Sequence, residues 1–339
     1  MEGGDAVRAT FEIDPPEAAE AVARQLTTAM AGGPAWAEGR VVDAGDRRAV
    51  IELPAALVEG NLPALVASVV AGEATEVGSL RRLRLVGLAV PDGFLPGPAL
   101  GAAGPAGVGV IVKPSVGLSP RQVADVAAAA VAGGATWLKD DEVLADPPWC
   151  PLAERVTLVA RRLQPGVTYC ANVTGPYEGL MTRARRAVDL GATGVMVAAA
   201  AQGMDAVGAL RRAELGVPVL AHRAGSGPWA RNQHFGPTGA VLTRLFRLAG
   251  ADAVIVGAFG GKLFETESEV EANLAAARDP MVGVRPSTAL LGGGLGPPDV
   301  VGQVARAGGS GVVALLGSAA YDSPGGLERA VADAVASLP

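Results

Sequence analysis

Three lysines are the side chains of this chain best suited to moving a proton. Of 28 basic residues in 339, only Lys113, Lys139 and Lys262 are lysine, which leaves 25 arginines. The richness in alanine, glycine, arginine and proline is typical of a GC-rich gene, in which arginine readily replaces lysine. Because lysine can become a neutral amine and arginine cannot, we expect the three remaining lysines to serve chemistry.

The densest charge cluster is the segment KDDE at 139–142. Hard cations such as Mg²⁺ prefer oxygen ligands, often one or two carboxylates together with water and substrate oxygens. Asp141 and Glu142 could supply two of these ligands. The alternative interpretation is a solvated loop in which Lys139 pairs with a neighbouring acid.

Two glycine-rich turns could bind phosphate through bare backbone N–H groups beside a helix start. Arg223 could add a bidentate contact to the same anion. Ordinary glycine turns are the alternative. The candidate positions are Gly292, Gly293, Gly294, Gly317 and Ser318.

The elements that must position these residues are short apolar runs alternating with alanine-rich helical stretches from residue 107 onward. Eight such units predict a (β/α)8 barrel, and a doubly wound open sheet is the alternative. The predicted strands are 108–113, 136–140, 167–173, 194–198, 218–222, 253–257, 288–293 and 312–317. Barrel active sites form at the carboxyl ends of the strands, where Lys113, Lys139 and His222 fall; Lys262 follows the sixth strand.

Residues 1–95 show a different order, with strands at 7–13, 41–45, 49–54 and 81–90 and helices at 18–30 and 62–71. This order predicts a small α+β, ferredoxin-like domain. The Pro- and Gly-rich segment 91–105 marks the boundary, and the barrel domain is assigned to 106–339.

Composition excludes several classes of protein. A net charge of −6 without a basic run argues against a nucleic-acid partner. No apolar stretch reaches the roughly 18 residues of a membrane span, and the N-terminus lacks the pattern of a secretory signal. With only Cys150 and Cys170 there is no disulfide framework, so we expect a cytoplasmic location.

Four segments carry a resemblance to a known family. They are GVIVKPSVGLS at 109–119, LKDDE at 138–142, AHRA at 221–224 and GKL at 261–263, together with the spaced glycines near the C-terminus. In this order they resemble the large chain of ribulose-bisphosphate carboxylase (RuBisCO), across the whole barrel and weakly into the N-terminal part.

The resemblance implies a role for each matching residue. Lys113 matches the lysine that takes a proton from the substrate carbon. Lys139 matches the lysine that reacts with CO2 to give a carbamate, which binds Mg²⁺ together with Asp141 and Glu142. His222 matches a histidine beside substrate and metal, and Arg223 matches a phosphate-binding arginine. Lys262 matches the mobile-loop lysine. The glycines that match the family's phosphate-binding glycines are Gly293, Gly294 and Gly317.

The sequence also departs from the carboxylase pattern. Ser115 replaces a lysine, Ile255 a histidine and Gly292 a serine. In the N-terminal part, the position of the family's active-site asparagine falls near Glu73, and that of its glutamate falls near Gln25. These changes remove groups for the second phosphate and for CO2 addition, so the chain resembles a RuBisCO-like, form IV protein and not a CO2-fixing carboxylase.

The resemblance therefore implies Mg²⁺-dependent enolisation of a phosphorylated ketose, with an enolase or isomerase outcome on a substrate like a methylthio-pentose phosphate. Lys113 is the favoured base, and Glu73, reaching in from a neighbouring subunit, is the second candidate. One alternative is a decarboxylase or transcarboxylase of a branched 3-keto sugar-acid phosphate. Another is a non-catalytic homologue that binds a metabolite. The family also implies at least a homodimer.

Overall fold

The computed structural model describes residues 6–26, 39–45, 47–58, 60–70, 72–76, 78–101 and 104–338. Eight parallel strands close into a barrel. They are β5 Gly107–Ile111, β6 Trp137–Lys139, β7 Thr168–Asn172, β8 Gly194–Ala198, β9 Val219–His222, β11 Ala253–Gly257, β12 Thr288–Leu295 and β13 Val312–Leu316. Neighbouring strands of the barrel follow this order, and β13 pairs back to β5. The predicted barrel is confirmed, and closure excludes the open sheet.

Helices separate the barrel strands and cover them from outside. They are α3 Pro120–Ala132, α4 Leu152–Ala160, α5 Leu180–Asp189, α6 Ala199–Gln202, α7 Asp205–Arg212, α8 Gly227–Ala230, α9 Gly239–Ala249, α10 Glu267–Arg278, α11 Val300–Arg306, α12 Ser318–Tyr321 and α13 Gly326–Ala336. Several begin where the sequence supplies a cap: Ser119 forms a capping box with Gln122 at α3, and Thr266 does so with Glu269 at α10.

The interior of the barrel is a small apolar cluster. Its buried members are Cys170, Met196, Leu220, Ala253, Ile255, Leu290, Val313 and Leu315. Ile255, where the carboxylase pattern has a histidine, is thus part of the packed interior and brings no polar group to the site. Alternating strand residues fill a barrel of this size completely, so chemistry is confined to its rim.

The N-terminal sheet contains four strands from the first part of the chain: β1 Ala6–Asp14, β2 Arg40–Gly45, β3 Arg48–Pro54 and β4 Arg82–Ala89. The strand order β4-β1-β3-β2 is antiparallel throughout. Helix α1 spans Ala19–Leu26, and α2 Leu62–Leu65 continues as a π-helical segment Val66–Val70. A sheet domain of mixed α and β structure is as predicted; residues 27–30 of the first predicted helix lie outside the described residues.

One short strand was not predicted. β10, Phe235–Pro237, lies between β9 and α9 in the barrel part of the chain, yet it pairs in parallel with β4. Buried Arg84 of β4 donates to the carbonyls of Ala230 and Asn232 beside this strand. The barrel therefore supplies the fifth strand of the N-terminal sheet, and the division of the chain at residues 95 and 106 stays a prediction.

None of the helices in the described ranges is long and apolar enough to cross a membrane.

Candidate active site

Lys113 lies on the rim of the barrel, two residues beyond the end of β5. Its Nζ is 2.5 Å from Asp141 Oδ2 and donates to Ser115 Oγ at 2.8 Å. The lysine side chain is 26% exposed and the Asp141 side chain only 2%. The lysine is therefore held by two neighbours yet remains open to a ligand.

Tyr321 fixes the backbone that carries Lys113. Its hydroxyl accepts a hydrogen bond from the Lys113 N–H at 3.0 Å and donates to the Ile111 carbonyl at 2.7 Å. Burial raises the pKa of this phenol, so it stays protonated and keeps both bonds. Sequence reasoning missed Tyr321; the available signal was a lone tyrosine three residues after the candidate Ser318.

Lys139 ends β6 and is buried, at 1% exposure. Its Nζ donates to the Asp140 carbonyl at 2.8 Å and lies 3.6 Å from Glu142 Oε2. Burial lowers the pKa of this amine, although the acids Glu142, Asp141 and Asp140 act in the opposite direction. Because its charged form is disfavoured, the amine of Lys139 loses its proton more readily than that of a surface lysine.

Asp141 and Glu142 are presented by a fixed backbone. Asn172, at the end of β7, donates its amide to the carbonyls of Asp141 at 3.0 Å and Glu142 at 2.9 Å. Burial acts to raise the pKa of Asp141, but hydrogen bonds from Lys113 and the Val143 N–H outweigh it and lower the pKa. Asp141 is therefore an anion at the rim.

His222 ends β9 and faces the same acid as Lys139. Its Nε2 is 3.5 Å from Glu142 Oε2, and its Nδ1 accepts a hydrogen bond from the Ala224 N–H at 3.0 Å. Burial, with repulsion from Lys139, Arg223 and Lys113, holds the pKa of His222 well below its ordinary value. The imidazole is therefore neutral, with its proton on Nε2.

Asp140 points away from the rim into a fully buried network. Arg155 donates to Asp140 Oδ2 through Nη2 at 3.0 Å and Nε at 3.2 Å, and the Tyr169 hydroxyl donates to Oδ1 at 2.8 Å. The Asn172 N–H adds a bond of 2.9 Å to Oδ2. Asp140, the first acid of the KDDE segment, is thus a structural support, while the two acids that follow it face the site.

Arg223 follows His222 but is held by a carboxylate. Its Nη1 is 2.7 Å from both oxygens of Glu265, whose side chain is only 3% exposed. Asn273 donates to Glu265 Oε1 at 2.7 Å, and the Arg223 guanidinium lies 5.8 Å from the centre of the Phe264 ring. Sequence reasoning missed Glu265, which lies three residues after Lys262.

Lys262 follows β11 and lies against Gly292, Gly293 and Gly294. These glycines form the irregular end of β12, where the register with β13 shifts, and not a turn after that strand as predicted. The Lys262 N–H donates to the Gly293 carbonyl at 2.9 Å, and the Ala258 N–H donates to the Gly292 carbonyl at 3.0 Å. Gly294 has φ +93°, and a Cβ there would lie 3.2 Å from Lys262 Cδ. This end of β12 needs glycine at position 294 both for its backbone conformation and for this close approach. The Lys262 side chain is exposed and pairs with no acid of the described residues.

For the remaining candidate residues, the structure shows no side-chain contact with the lysines and acids of the rim among the described residues. Gly317 is buried after β13, with its N–H 3.5 Å from the Leu295 carbonyl, and Ser318 begins α12 as an exposed residue. Glu73 begins the short 3-10 helix Glu73–Glu76, but its side chain lies outside the described residues, as does that of Gln25. The structure thus brings together Lys113, Lys139, Asp141, Glu142 and His222.

The carboxylates of Asp141 and Glu142 become a donor set suited to a hard cation once Lys139 carries a carbamate. Within the described ranges, no three side chains of His, Cys, Asp or Glu are grouped as a metal site. Asp141 and Glu142 offer two carboxylates in the segment that follows Lys139, and a carbamate on the Lys139 amine would add a third anionic oxygen donor. These donor types fit Mg²⁺.

Comparisons with known proteins match this chain to one family. The family model described as the ribulose bisphosphate carboxylase large chain, catalytic domain, matches residues 98–289. A ribulose bisphosphate carboxylase-like protein of Allochromatium vinosum is 36% identical over 231 residues, covering 62% of this chain and 50% of the relative. A 3-oxo-isoapionate-4-phosphate transcarboxylase/hydrolase of Xanthobacter autotrophicus is 34% identical over 270 residues, covering 73% and 65%.

Solved structures extend the likeness to the whole chain. Octameric RuBisCO from Pyrococcus horikoshii, in complex with sulfate, superposes with a TM-score of 0.90 at 25% identity, covering 100% of this chain and 89% of that one. The chain spans about half the length of the first curated relative it matches. It belongs to the RuBisCO large-chain family, and its relatives include RuBisCO-like proteins.

Proposed function

We propose that this chain enolises a phosphorylated ketose by moving a proton at its barrel rim, and that it is not a CO2-fixing carboxylase. One observation carries the proposal: Lys113 Nζ lies 2.5 Å from Asp141 while Lys139 Nζ lies 3.6 Å from Glu142. Two amines of different burial and two carboxylates are thus combined at the strand ends where barrel enzymes act.

In the proposed reaction, Lys113 Nζ takes the proton from the carbon next to the substrate carbonyl. Asp141, now 2.5 Å from this amine, must bind another partner before the amine can accept the substrate proton. Ser115 Oγ and the Tyr321 hydroxyl then keep the amine and its backbone in place. Neutral His222, with its proton on Nε2, donates a hydrogen bond to the oxygen on which charge develops.

Asp141, Glu142 and a carbamate on Lys139 would hold Mg²⁺, which when bound polarises the substrate carbonyl. Lys262 would supply a catalytic cation from its loop, and Glu73 is the second candidate for the base. The phosphate would be bound by Arg223, Gly292, Gly293, Gly294, Gly317 and Ser318. The oligomeric solved relative supports assembly as a homo-oligomer.

Solvent deuterium exchange tests this function directly. The protein, supplied with Mg²⁺ and bicarbonate, is incubated in D2O with pentulose phosphates, and incorporation of deuterium is followed by NMR. We expect exchange in the wild type and a loss of about 10²-fold or more in Lys113→Ala. The proposal would be contradicted if no pentulose phosphate tested exchanged its proton for deuterium, or if Lys113→Ala kept full exchange. If Lys113→Ala is inactive and Glu73→Gln unchanged, the second candidate base is excluded.

A second candidate is decarboxylation or carboxyl transfer on a branched 3-keto sugar-acid phosphate. The relative of Xanthobacter autotrophicus, named as a transcarboxylase/hydrolase of such a phosphate, favours it. Release of CO2 from such a substrate, without an isomerised product, separates this reaction from enolisation. Binding of the sugar phosphate with no turnover by either assay would support the non-catalytic alternative.

A further inference from the structure

A separate pocket of about 230 Å³ lies outside the barrel, between β4 and the helices α9 and α10. Its walls are residues 86–88 of β4, residues 240, 241, 244 and 247 of α9, residues 272, 275 and 276 of α10 and residues 279–281 after that helix. None of these residues belongs to the candidate active site. The pocket therefore needs its own explanation.

Arg247 forms the inner wall of this pocket and is completely buried. Its guanidinium donates only to backbone carbonyls, and no acid of the described residues lies within ion-pair distance. The carbonyls belong to Ala276, Asp279, Val284 and Arg285, at 3.3, 2.8, 3.1 and 2.9 Å. Carbonyl dipoles satisfy its N–H groups but leave its full positive charge in place.

Arg244 lies one turn earlier on α9 and lines the same pocket. Its Nε is buried without a hydrogen-bond partner, and its side chain donates to none of the described residues. Burial lowers the pKa of Arg244, and burial together with repulsion from Arg244 lowers the pKa of Arg247 to about 10. The two arginines thus give the pocket a positive local field, which Asp279 offsets only in part.

Asp279 is the acid nearest to both arginines. It acts on them only through space, since its carboxylate forms no ion pair with either, and it is exposed. Arg244 is half-buried, and placing its Nε out of water without a hydrogen-bond partner carries a desolvation cost. An anion with several acceptor oxygens would satisfy Arg244 and neutralise the charge of Arg247 together.

We propose that this pocket binds a phosphate-type oxyanion, either free phosphate or the phosphate group of a small metabolite. Arg244 donates the hydrogen bonds, and Arg247 supplies a fixed positive charge. Because the walls come from both the N-terminal sheet and the barrel helices, a bound anion stabilises the contact between them.

Calorimetric titration of the full chain with inorganic phosphate tests the pocket. The titration uses the Arg223→Gln background, which removes the arginine proposed to bind phosphate at the barrel rim. We expect Arg244→Gln to raise the Kd for phosphate about tenfold or more, as for loss of a charge-assisted hydrogen bond. Arg185→Gln is the matched control, since Arg185 is an exposed arginine on α5, and it should leave the Kd unchanged.

Asp279→Asn should change the Kd for phosphate in the direction opposite to Arg244→Gln. Removing the competing acid should lower the Kd for phosphate, and because Asp279 is exposed this variant should not disturb the fold. The thermal midpoint without phosphate should be retained in Arg244→Gln, since the Arg244 side chain has no hydrogen bond to another described residue that could be lost. Should Arg244→Gln fail to fold, Asp279→Asn decides alone.

Glycerol 3-phosphate, titrated in the same way, distinguishes the two sources of the anion. Tighter binding than inorganic phosphate, still dependent on Arg244, indicates a metabolite; equal or weaker binding indicates free phosphate. The proposal is overturned if neither compound binds, if Arg244→Gln binds as the wild type does, or if Arg185→Gln loses as much affinity. A Kd unchanged or raised in Asp279→Asn would overturn it as well. None of these results depends on turnover at the barrel rim.

Discussion

Arg223 Nη1 lies 2.7 Å from both carboxylate oxygens of Glu265, so an acid holds the arginine expected to bind phosphate. Glu265 is in the same loop as Lys262, three residues away, and its other contact is the amide of Asn273. The loop that carries the candidate cation thus also carries the competitor for a substrate phosphate.

Glu265→Gln should therefore strengthen binding of a sugar phosphate. Without its anionic partner, Arg223 is free to donate to phosphate, and we expect the Kd to fall about tenfold. Calorimetric titration with ribulose 5-phosphate in the Arg244→Gln background measures this at the rim alone. Glu267→Gln, which removes an exposed acid paired with Arg306, is the control and should bind as before. Weaker binding in Glu265→Gln would instead mean that Glu265 orients Arg223 for the ligand.

Tyr321→Phe should impair the reaction through the position of Lys113. The variant removes a hydroxyl that joins the Lys113 N–H to the Ile111 carbonyl, and leaving these groups unpaired costs about 1–3 kcal/mol of unfolding free energy. We expect kcat for deuterium exchange to fall with little change in KM, because Tyr321 acts through Lys113. Loss of stability with an unchanged kcat would limit the residue to a structural role.

Lys139→Arg should abolish any carbamate. Arginine cannot offer the neutral amine that reacts with CO2, whereas burial favours the neutral form of Lys139. Carbon-13 NMR with labelled bicarbonate measures the adduct without reference to turnover, and Mg²⁺ should sharpen or shift its signal. The signal should persist in Lys262→Arg, where the substituted lysine is exposed. A carbamate signal that survives in Lys139→Arg would contradict the assignment.

Much of this arrangement could be predicted from the sequence because it depends on local patterns. Each barrel strand is an apolar run followed by a helix, so strand ends, and with them Lys139 and His222, were placed within about two residues. Partners from distant parts of the chain could not be predicted. Tyr321 meets Lys113 across 208 positions and Glu265 meets Arg223 across 42, and no local periodicity records such pairs.

The strand β10 was missed for a different reason. It has three residues, Phe235–Pro237, of which one is glycine and one is proline, and both residue types normally argue against a strand. It forms because the backbone groups at the edge of β4 are available for pairing. That availability is a property of the folded N-terminal sheet and not of the segment 235–237 itself.

Asp140→Asn should destabilise the protein far more than a surface change. Arg155 and Asp140 are both completely buried, and loss of one charge leaves the other without its partner at a cost of about 3–5 kcal/mol. Chemical denaturation measures the difference. Asp125→Asn is the control: its pair with Arg162 is exposed and 4.0 Å long, and such pairs contribute about 0–1 kcal/mol. Equal effects of the two variants would contradict the assigned role of Asp140.

Glu52 should make the stability of the N-terminal sheet depend on pH. Register places it opposite Arg8 of β1 and Arg40 of β2, with ion pairs of 2.5 Å to each. Burial acts to raise the pKa of Glu52, but the hydrogen bonds from the two arginines outweigh it and lower the pKa below its ordinary 4.5. The folded state therefore holds its proton less tightly than the unfolded state. Its contribution to stability is complete above the unfolded pKa and is lost as the pH falls through the folded one.

Glu52→Gln should accordingly lower the unfolding free energy at neutral pH and lose less of it on acidification than the wild type. Urea unfolding between pH 7 and pH 3 measures both slopes. Glu76→Gln, which changes an exposed acid outside the sheet, should follow the wild-type slope. Parallel curves for Glu52→Gln and the wild type would show that the two arginines do not hold Glu52 more tightly ionised in the folded state, despite their short contacts.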